Sequence, residues 1–388
     1  MIAPASDIDI YSEDVRADPW PHYKALRDAG PIVHLTNNDL FAISRFKDVK
    51  AALGNWKTFS SAKGVSANEE RNANVSGGVL ESDDPVHAQL RSFLQGPLLP
   101  GNLKKLELRF QQSADELVDR LFAQQRFDAV SELAHHLPVN IVSELVGLPE
   151  EGRANMLDWA SASFDSMGSY NERARRAEPK RAEALSYVRN IPRDKLLPGS
   201  WGDTLLSNPK SETFDPKNAK DLLFNYVGPS LDTTISAIGS AIWLFYAHPE
   251  QWDIVRADPA LIPKAIEEIL RIEAPVQHFT RHVTHDYAIE DVTLPAGSRT
   301  VMMFASANRD ERKWGNPDDF DVRRDSREHL AFGAGPHMCM GMHLAKFEMR
   351  CLLTALAARV KRFHLAGEPM RRPNNTLRGF GVLPVRVE

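Results

Sequence analysis

"HLAFGAGPHMCMGMHLAKFEMR", residues 329–350, sets a cysteine inside a glycine-rich turn and then runs directly into a helical pattern. The spacing is Phe332-x-x-Gly335-x-x-x-Cys339-x-Gly341, in a chain of 388 residues with 18 Phe, 22 Gly and 2 Cys. At that composition the pattern arises by chance in roughly one chain in several thousand. A cysteine just ahead of a helix sits at the positive end of the helix dipole, where amide N–H groups favour thiolate over thiol. Gly333, Gly335 and Gly341 let the backbone turn tightly and let a flat, bulky group approach without meeting a Cβ. Neither His337 nor His343 pairs with a second cysteine at zinc spacing, whereas an axial bond to a haem iron needs only one protein ligand. The rival reading is an ordinary buried cysteine in a loop, as expected of Cys351 in the following helix.

Outward from this stretch the chain is 43% hydrophobic and 26% charged, with a formal net charge of -5. That mild acidity gives no electrostatic reason to expect nucleic acid. Two cysteines cannot make a disulfide framework and point to a reducing, cytoplasmic compartment. The opening "MIAPASDIDIYSEDVRADPW" is acidic where a signal peptide needs a basic region, and no run of about 18 apolar residues suits a membrane. With no repeat or linker, residues 1–388 read as one domain.

Helical periodicity is clearest at 102–124, 128–146, 151–168, 217–247, 262–273 and 341–361. Residues 31–46 read as a hairpin turning at Asn37-Asn38-Asp39, and further strands are expected within 279–303 and in "LPVRV" near the carboxyl end. The expected fold class is mainly α with a smaller β region.

The cysteine segment resembles the haem-binding signature of the cytochrome P450 monooxygenases, and the resemblance covers essentially the whole chain. It implies haem b with Cys339 as its axial ligand, and Phe332, Gly333 and Gly341 lining the cofactor. Thiolate donation pushes electron density onto iron and favours O–O cleavage. Glu268 and Arg271 in "AIEEILRIEAP", with Arg324 in "NPDDFDVRRD", match the family's structural ion-pair set. His87 and Arg91 lie four apart on one helical face; with Arg281 and His337 they match the contacts to the haem propionates. In "LLFNYVGPSLDTTISAIGSAIWLFYAHP" the resemblance makes Asp232 and Thr233 the relay of protons to bound dioxygen. Pro229-Ser230 departs from the small pair usual there, and proline should kink the helix by removing the bond to the Asn225 carbonyl.

The same resemblance implies insertion of one oxygen atom of dioxygen into a substrate, with electrons from NAD(P)H through an external ferredoxin and ferredoxin reductase. Lys104, Lys105, Lys346 and Arg350 are the candidates for a basic docking face. Pocket walls are expected from Val65, Phe164, Val227, Val276 and Phe279. The segments "FSSAKGVS", "LDTTISAIG", "PVQHFTR" and "RPNNTLRGFGVLPV" are most similar to a bacterial branch oxidising para-substituted benzoic acids. Lys63, near Ser66 and Asn68, stands where that branch holds the carboxylate with arginine. The expected activity is hydroxylation or O-demethylation of a small aromatic substrate, a benzoate or methoxyphenol. A peroxide-driven enzyme and a haem sensor without turnover are the alternatives.

Overall fold

The computed structural model describes residues 2–74, 77–208 and 216–388, with the side chains of 216–219 outside the description. Six short strands form the main sheet: β1 (Ala5–Ser6), β2 (Val33–Leu35), β3 (Leu40–Ile43), β4 (Phe59–Ser60), β5 (Phe279–Val283) and β6 (Arg299–Met302). Their order is β1-β2-β3-β6-β5-β4. The expected hairpin is present, with Val33 opposite Ala42 and Leu35 opposite Leu40. Beside this sheet stands a helical body whose central members we number in chain order: α1 (Val86–Leu94), α2 (Glu107–Gln124), α3 (Glu150–Asp165), α4 (Glu172–Asn190), α5 (Pro216–Val227), α6 (Asp232–Ala247), α7 (Ile262–Ile272) and α8 (Met342–Arg359).

α6 runs through the middle of the body, burying Ile235, Ile238, Ile242 and Phe245 on one side and Ala237, Ala241 and Leu244 on others. A helix apolar nearly all round is stable only in such a position. α8 packs on α2 and α7 through Leu344, Phe347, Leu352 and Leu356, and carries Cys351 in the same core.

Three expectations need correction. The pattern at 217–247 is two helices: α5 stops at Val227 and α6 restarts at Asp232. Pro229 has no N–H for the ladder, and the groups on either side of it are bonded across the break. Gly228 N–H donates to the Phe224 carbonyl, the Ser230 hydroxyl to the Tyr226 carbonyl, and the Thr233 hydroxyl to the Pro229 carbonyl at 3.0 Å. The chain therefore breaks where a kink was expected. The segment 128–146 is helical but wide-turned over Ala129–Ala134 and His136–Val142, with His135 N–H reaching the Val130 carbonyl five residues back. α4 has no counterpart among the expected helices. Its buried face is Ala174, Ala177, Ala184 and Val188, a stripe too weakly apolar to show in a charged sequence.

One buried junction ties these layers together. The Glu268 carboxylate on α7 receives Arg271 at 2.8 Å and Arg324 at 3.0 Å, together with the Ser326 hydroxyl. Arg271 also donates to the carbonyls of Asn308, Pro317 and Asp319. Asn308 in turn accepts the Leu330 N–H at 2.6 Å, which hands the chain on to the cysteine loop. Removing one partner of a buried ion pair strands the other charge, so Glu268→Ala should lose about 3–5 kcal/mol in urea unfolding. Glu268→Gln, which keeps the shape, should lose less.

Candidate active site

The cysteine loop is built by close backbone approach. Cys339 N–H donates to the Phe332 carbonyl at 2.9 Å, closing the turn. Gly333 and Gly335 have φ of +68° and +70°, and a Cβ on Gly335 would collide with the Leu53 carbonyl. Gly341 needs neither freedom; a Cβ there would touch only the Cys339 sulfur at 3.8 Å. Lys346 lies 5.3 Å from the centre of the Phe332 ring, which is half-buried.

Cys339 is reached by solvent although protein surrounds it densely enough for burial to push its thiol up. A residue with both properties faces an interior space. The amides of Gly341 and Met342 and the Arg91 guanidinium pull the other way, towards thiolate. The amides at the start of α8 thus act as expected, while burial opposes them.

The four basic residues expected beside this space converge there. His87 and His337 lie with ring centres 4.1 Å apart and planes inclined at 45°, and Arg91 donates to the Pro336 carbonyl at 3.3 Å. Burial pushes His337 down to about 3, with Arg281, His87 and Arg91 adding repulsion. Burial likewise brings Arg281 down to about 10, against the pull of Asp83. His87 turns Nδ1 to Asp84 at 3.2 Å, and among the described residues neither its buried Nε2 nor that of His337 has a partner. Buried polar atoms left unsatisfied inside a cationic cluster call for an anionic acceptor. A haem with two propionates and an axial iron fits this donor set.

At the break between α5 and α6, Asp232 is buried and Thr233 half-buried. Asp232 Oδ1 accepts from Arg372 at 2.8 Å, whereas Oδ2 has no hydrogen-bond partner among the described residues. Burial raises this carboxyl, while Arg372 and the Ser161 hydroxyl lower it.

The expected walls divide. Val276 and Phe279 are half-buried, with Val276 bridged to Leu377 and the Phe279 ring edge-on to Phe304 at 5.9 Å. Val65 and Phe164 are almost wholly buried, their carbonyls taken by Thr280 N–H and the Thr376 hydroxyl. Val227 has no exposure at all and belongs to the main core, so it is not a wall. Lys63 is placed beside the strand that carries Phe279. It is exposed and near His282, which alternates along β5 with Phe279 and Arg281 and so lies on the opposite face. Part of the loop that follows, Val75 and Ser76, lies outside the described residues.

The face beneath the cysteine loop is less basic than expected. Lys346 is paired with Glu267 at 2.8 Å and Arg350 with Glu107 at 2.8 Å, while Lys105 bonds to Asn102. The two ion pairs, with Lys104 and Phe347, border a groove of about 490 Å³. Sequence reasoning missed Arg372 and Arg71. Arg71, buried in the short helix Glu69–Ala73 ahead of α1, bonds to the Ser163 carbonyl at 3.0 Å and to the Ser166 hydroxyl, fastening that segment to the end of α3. No local pattern marks either arginine.

If the orphaned imidazole atoms hold haem carboxylates, His87→Ala and Arg281→Ala should each purify with less haem per protein and release it faster to apomyoglobin. Lys63→Ala, on the other face of β5, should match the wild type in both.

The comparisons with known proteins agree with this geometry. The family profile described as "Cytochrome P450" matches residues 23–146 and 256–387. Cytochrome P450 CYP199A2 of Rhodopseudomonas palustris is 35% identical over 99% of this chain and 94% of its own length. The 6-deoxyerythronolide B hydroxylase of Saccharopolyspora erythraea is 30% identical, covering 98% of each chain. The structure of cytochrome P450 CYP109Q5 from Chondromyces apiculatus superimposes with a TM-score of 0.80 at 29% identity, over 100% of this chain and 99% of the other. Thiol loop, basic cluster, ion-pair junction and these likenesses together make the chain a member of the cytochrome P450 family, a haem b oxidoreductase of the monooxygenase class.

Proposed function

We propose that the protein hydroxylates or O-demethylates a small aromatic substrate of the para-substituted benzoate or methoxyphenol type, with electrons from NAD(P)H through a separate ferredoxin and reductase. The observation that carries the haem-site part of this reading is the convergence of Cys339, His87, Arg91, Arg281 and His337 on one interior space. Bound haem supplies the reductive activation of dioxygen, from which one atom enters the substrate and the other leaves as water.

The chain's own residues do the rest. Cys339 would hold the iron, and the amides of Gly341 and Met342 favour its thiolate against the effect of burial. His87, Arg91, Arg281 and His337 hold the propionates. Asp232 and Thr233 hand protons towards the dioxygen side, with the break at Pro229 exposing the carbonyl to which Thr233 donates. An acid and an alcohol at this bend favour dioxygen over peroxide as the oxidant, because peroxide brings its own protons. Phe279 and Val276 supply an apolar face to an aromatic ring.

The substrate class rests on the similarity of several segments to the branch oxidising para-substituted benzoic acids. Lys63, exposed and near His282, is not needed for this reading. The groove under the cysteine loop suits a ferredoxin that meets it through mixed polar and apolar contacts, with Lys104 the cation beside the two neutralised pairs.

Spin-state titration of the haem-loaded protein tests the substrate. Para-methoxybenzoate, or a neutral methoxyphenol, should displace the iron-bound water and shift the Soret band from low to high spin. No shift with either would remove the aromatic assignment. Product formed under NADH, ferredoxin and reductase should exceed that formed with hydrogen peroxide alone; the reverse would favour the peroxide-driven alternative.

A further inference from the structure

Arg372 follows β7 (Met370–Arg371) and precedes the turn into β8 (Phe380–Val382), far in sequence from the residues at the α5–α6 break. Its backbone N–H donates to the Gly379 carbonyl at 3.0 Å. Gly379 itself is pressed against α6, where a Cβ would collide with Ser236. The base of the arginine is therefore pinned to the helix that bears Asp232, and its guanidinium reaches Oδ1 of that acid at 2.8 Å. Oδ2 is left buried and without a donor.

The other side of Arg372 borders a polar cavity of about 30 Å³ that also touches Arg16, Gln277, His278 and Asn374. That is room for one or two waters. Arg372 thus borders this space and bonds to Asp232. The charged and titratable groups around the pair come from three elements. Arg372 itself belongs to the carboxyl-terminal hairpin. Ser161 and Asp165 belong to α3, and His135 to the wide-turned segment. Arg372 favours the ionised form of Asp165 and disfavours that of His135, which burial already pushes down.

We propose that Arg372 is the positioning residue of the proton relay: it holds Oδ1 of Asp232, counters the effect of burial on the carboxylate, and leaves Oδ2 to exchange a proton. This rests on the reading of Asp232 and Thr233 as the relay. An acid so deeply buried takes up a proton unless a cation faces it, and the contacts of Asp232 include one cation. The sign follows. With Arg372 removed, burial acts with little opposition, and the carboxyl remains protonated to higher pH.

The test compares haem-loaded wild type, Arg372→Gln, Arg372→Lys and Asp232→Asn. The carboxylic acid C=O stretch of Asp232, identified by its loss in Asp232→Asn, is followed by infrared spectroscopy against pH. Peroxide released per NADH consumed is measured with whichever of para-methoxybenzoate and methoxyphenol shifts the spin state. Arg372→Gln should move the midpoint of the infrared band to higher pH, slow NADH consumption about tenfold and raise the peroxide fraction, within the range of general acid–base effects. Arg372→Lys should restore part of the midpoint, because a lysine keeps the charge and loses the planar fork. It also serves if Arg372→Gln fails to bind haem. An unmoved midpoint in both arginine variants, with Asp232→Asn impaired, overturns the role of Arg372 alone. Wild-type turnover in Asp232→Asn overturns the relay reading, and the proposal with it.

Discussion

A single fully buried carboxylate, that of Glu268, organises the path of the chain to the active site. It faces two guanidiniums, and Arg271 spreads three further hydrogen bonds over the carbonyls of Asn308, Pro317 and Asp319. A long stretch without regular structure is thereby threaded onto α7. His329 is fastened at 3.0 Å to Glu267, the neighbour of Glu268, and Leu330 to Asn308. By the time the chain reaches Phe332 its position is determined on both sides, and the Phe332 carbonyl closes the turn that presents Cys339. Buried ion pairs contribute little net stability compared with apolar packing, but mispairing them is costly. That asymmetry suits a loop whose sulfur must sit at one place.

Electrostatics divides the site into two halves of opposite need. Around His87, Arg91, Arg281 and His337 the protein gathers positive charge and leaves two imidazole nitrogens unsatisfied, a state that an anionic cofactor relieves. At the α5–α6 break the need is reversed: a buried acid is held by one arginine brought from the carboxyl-terminal hairpin. The groove under the cysteine loop is different again, since Glu267 and Glu107 neutralise Lys346 and Arg350 and leave a mixed surface.

Much of this was legible in the sequence because it is carried by short-range patterns. The glycine spacing around Cys339, the i, i+3 pair Glu268–Arg271 and the i, i+4 pair His87–Arg91 are visible without a structure, as are the long apolar helix and the hairpin at Asn37–Asp39. What was not legible depends on contacts distant in sequence. Arg372 reaches an acid 140 residues away, and Arg71 reaches the end of α3 more than 90 residues on. Lys63 was read by its position in a motif, but the face of β5 it shares with His282 is set by strand register. Val227 has the right address and the wrong direction. α4 escaped notice because alanine makes its buried stripe, and Pro229 marked a disturbance in the helix without revealing that the chain would stop and restart.

The most direct test of the central claim is the carbon monoxide difference spectrum of the dithionite-reduced, haem-loaded protein, recorded for the wild type, Cys339→His and Cys351→Ser. The account predicts a thiolate-type band in the wild type and in Cys351→Ser, and its replacement by an imidazole-type band in Cys339→His with haem still bound. A thiolate-type band that survives Cys339→His, or one that disappears with Cys351→Ser while the protein remains folded, would contradict it.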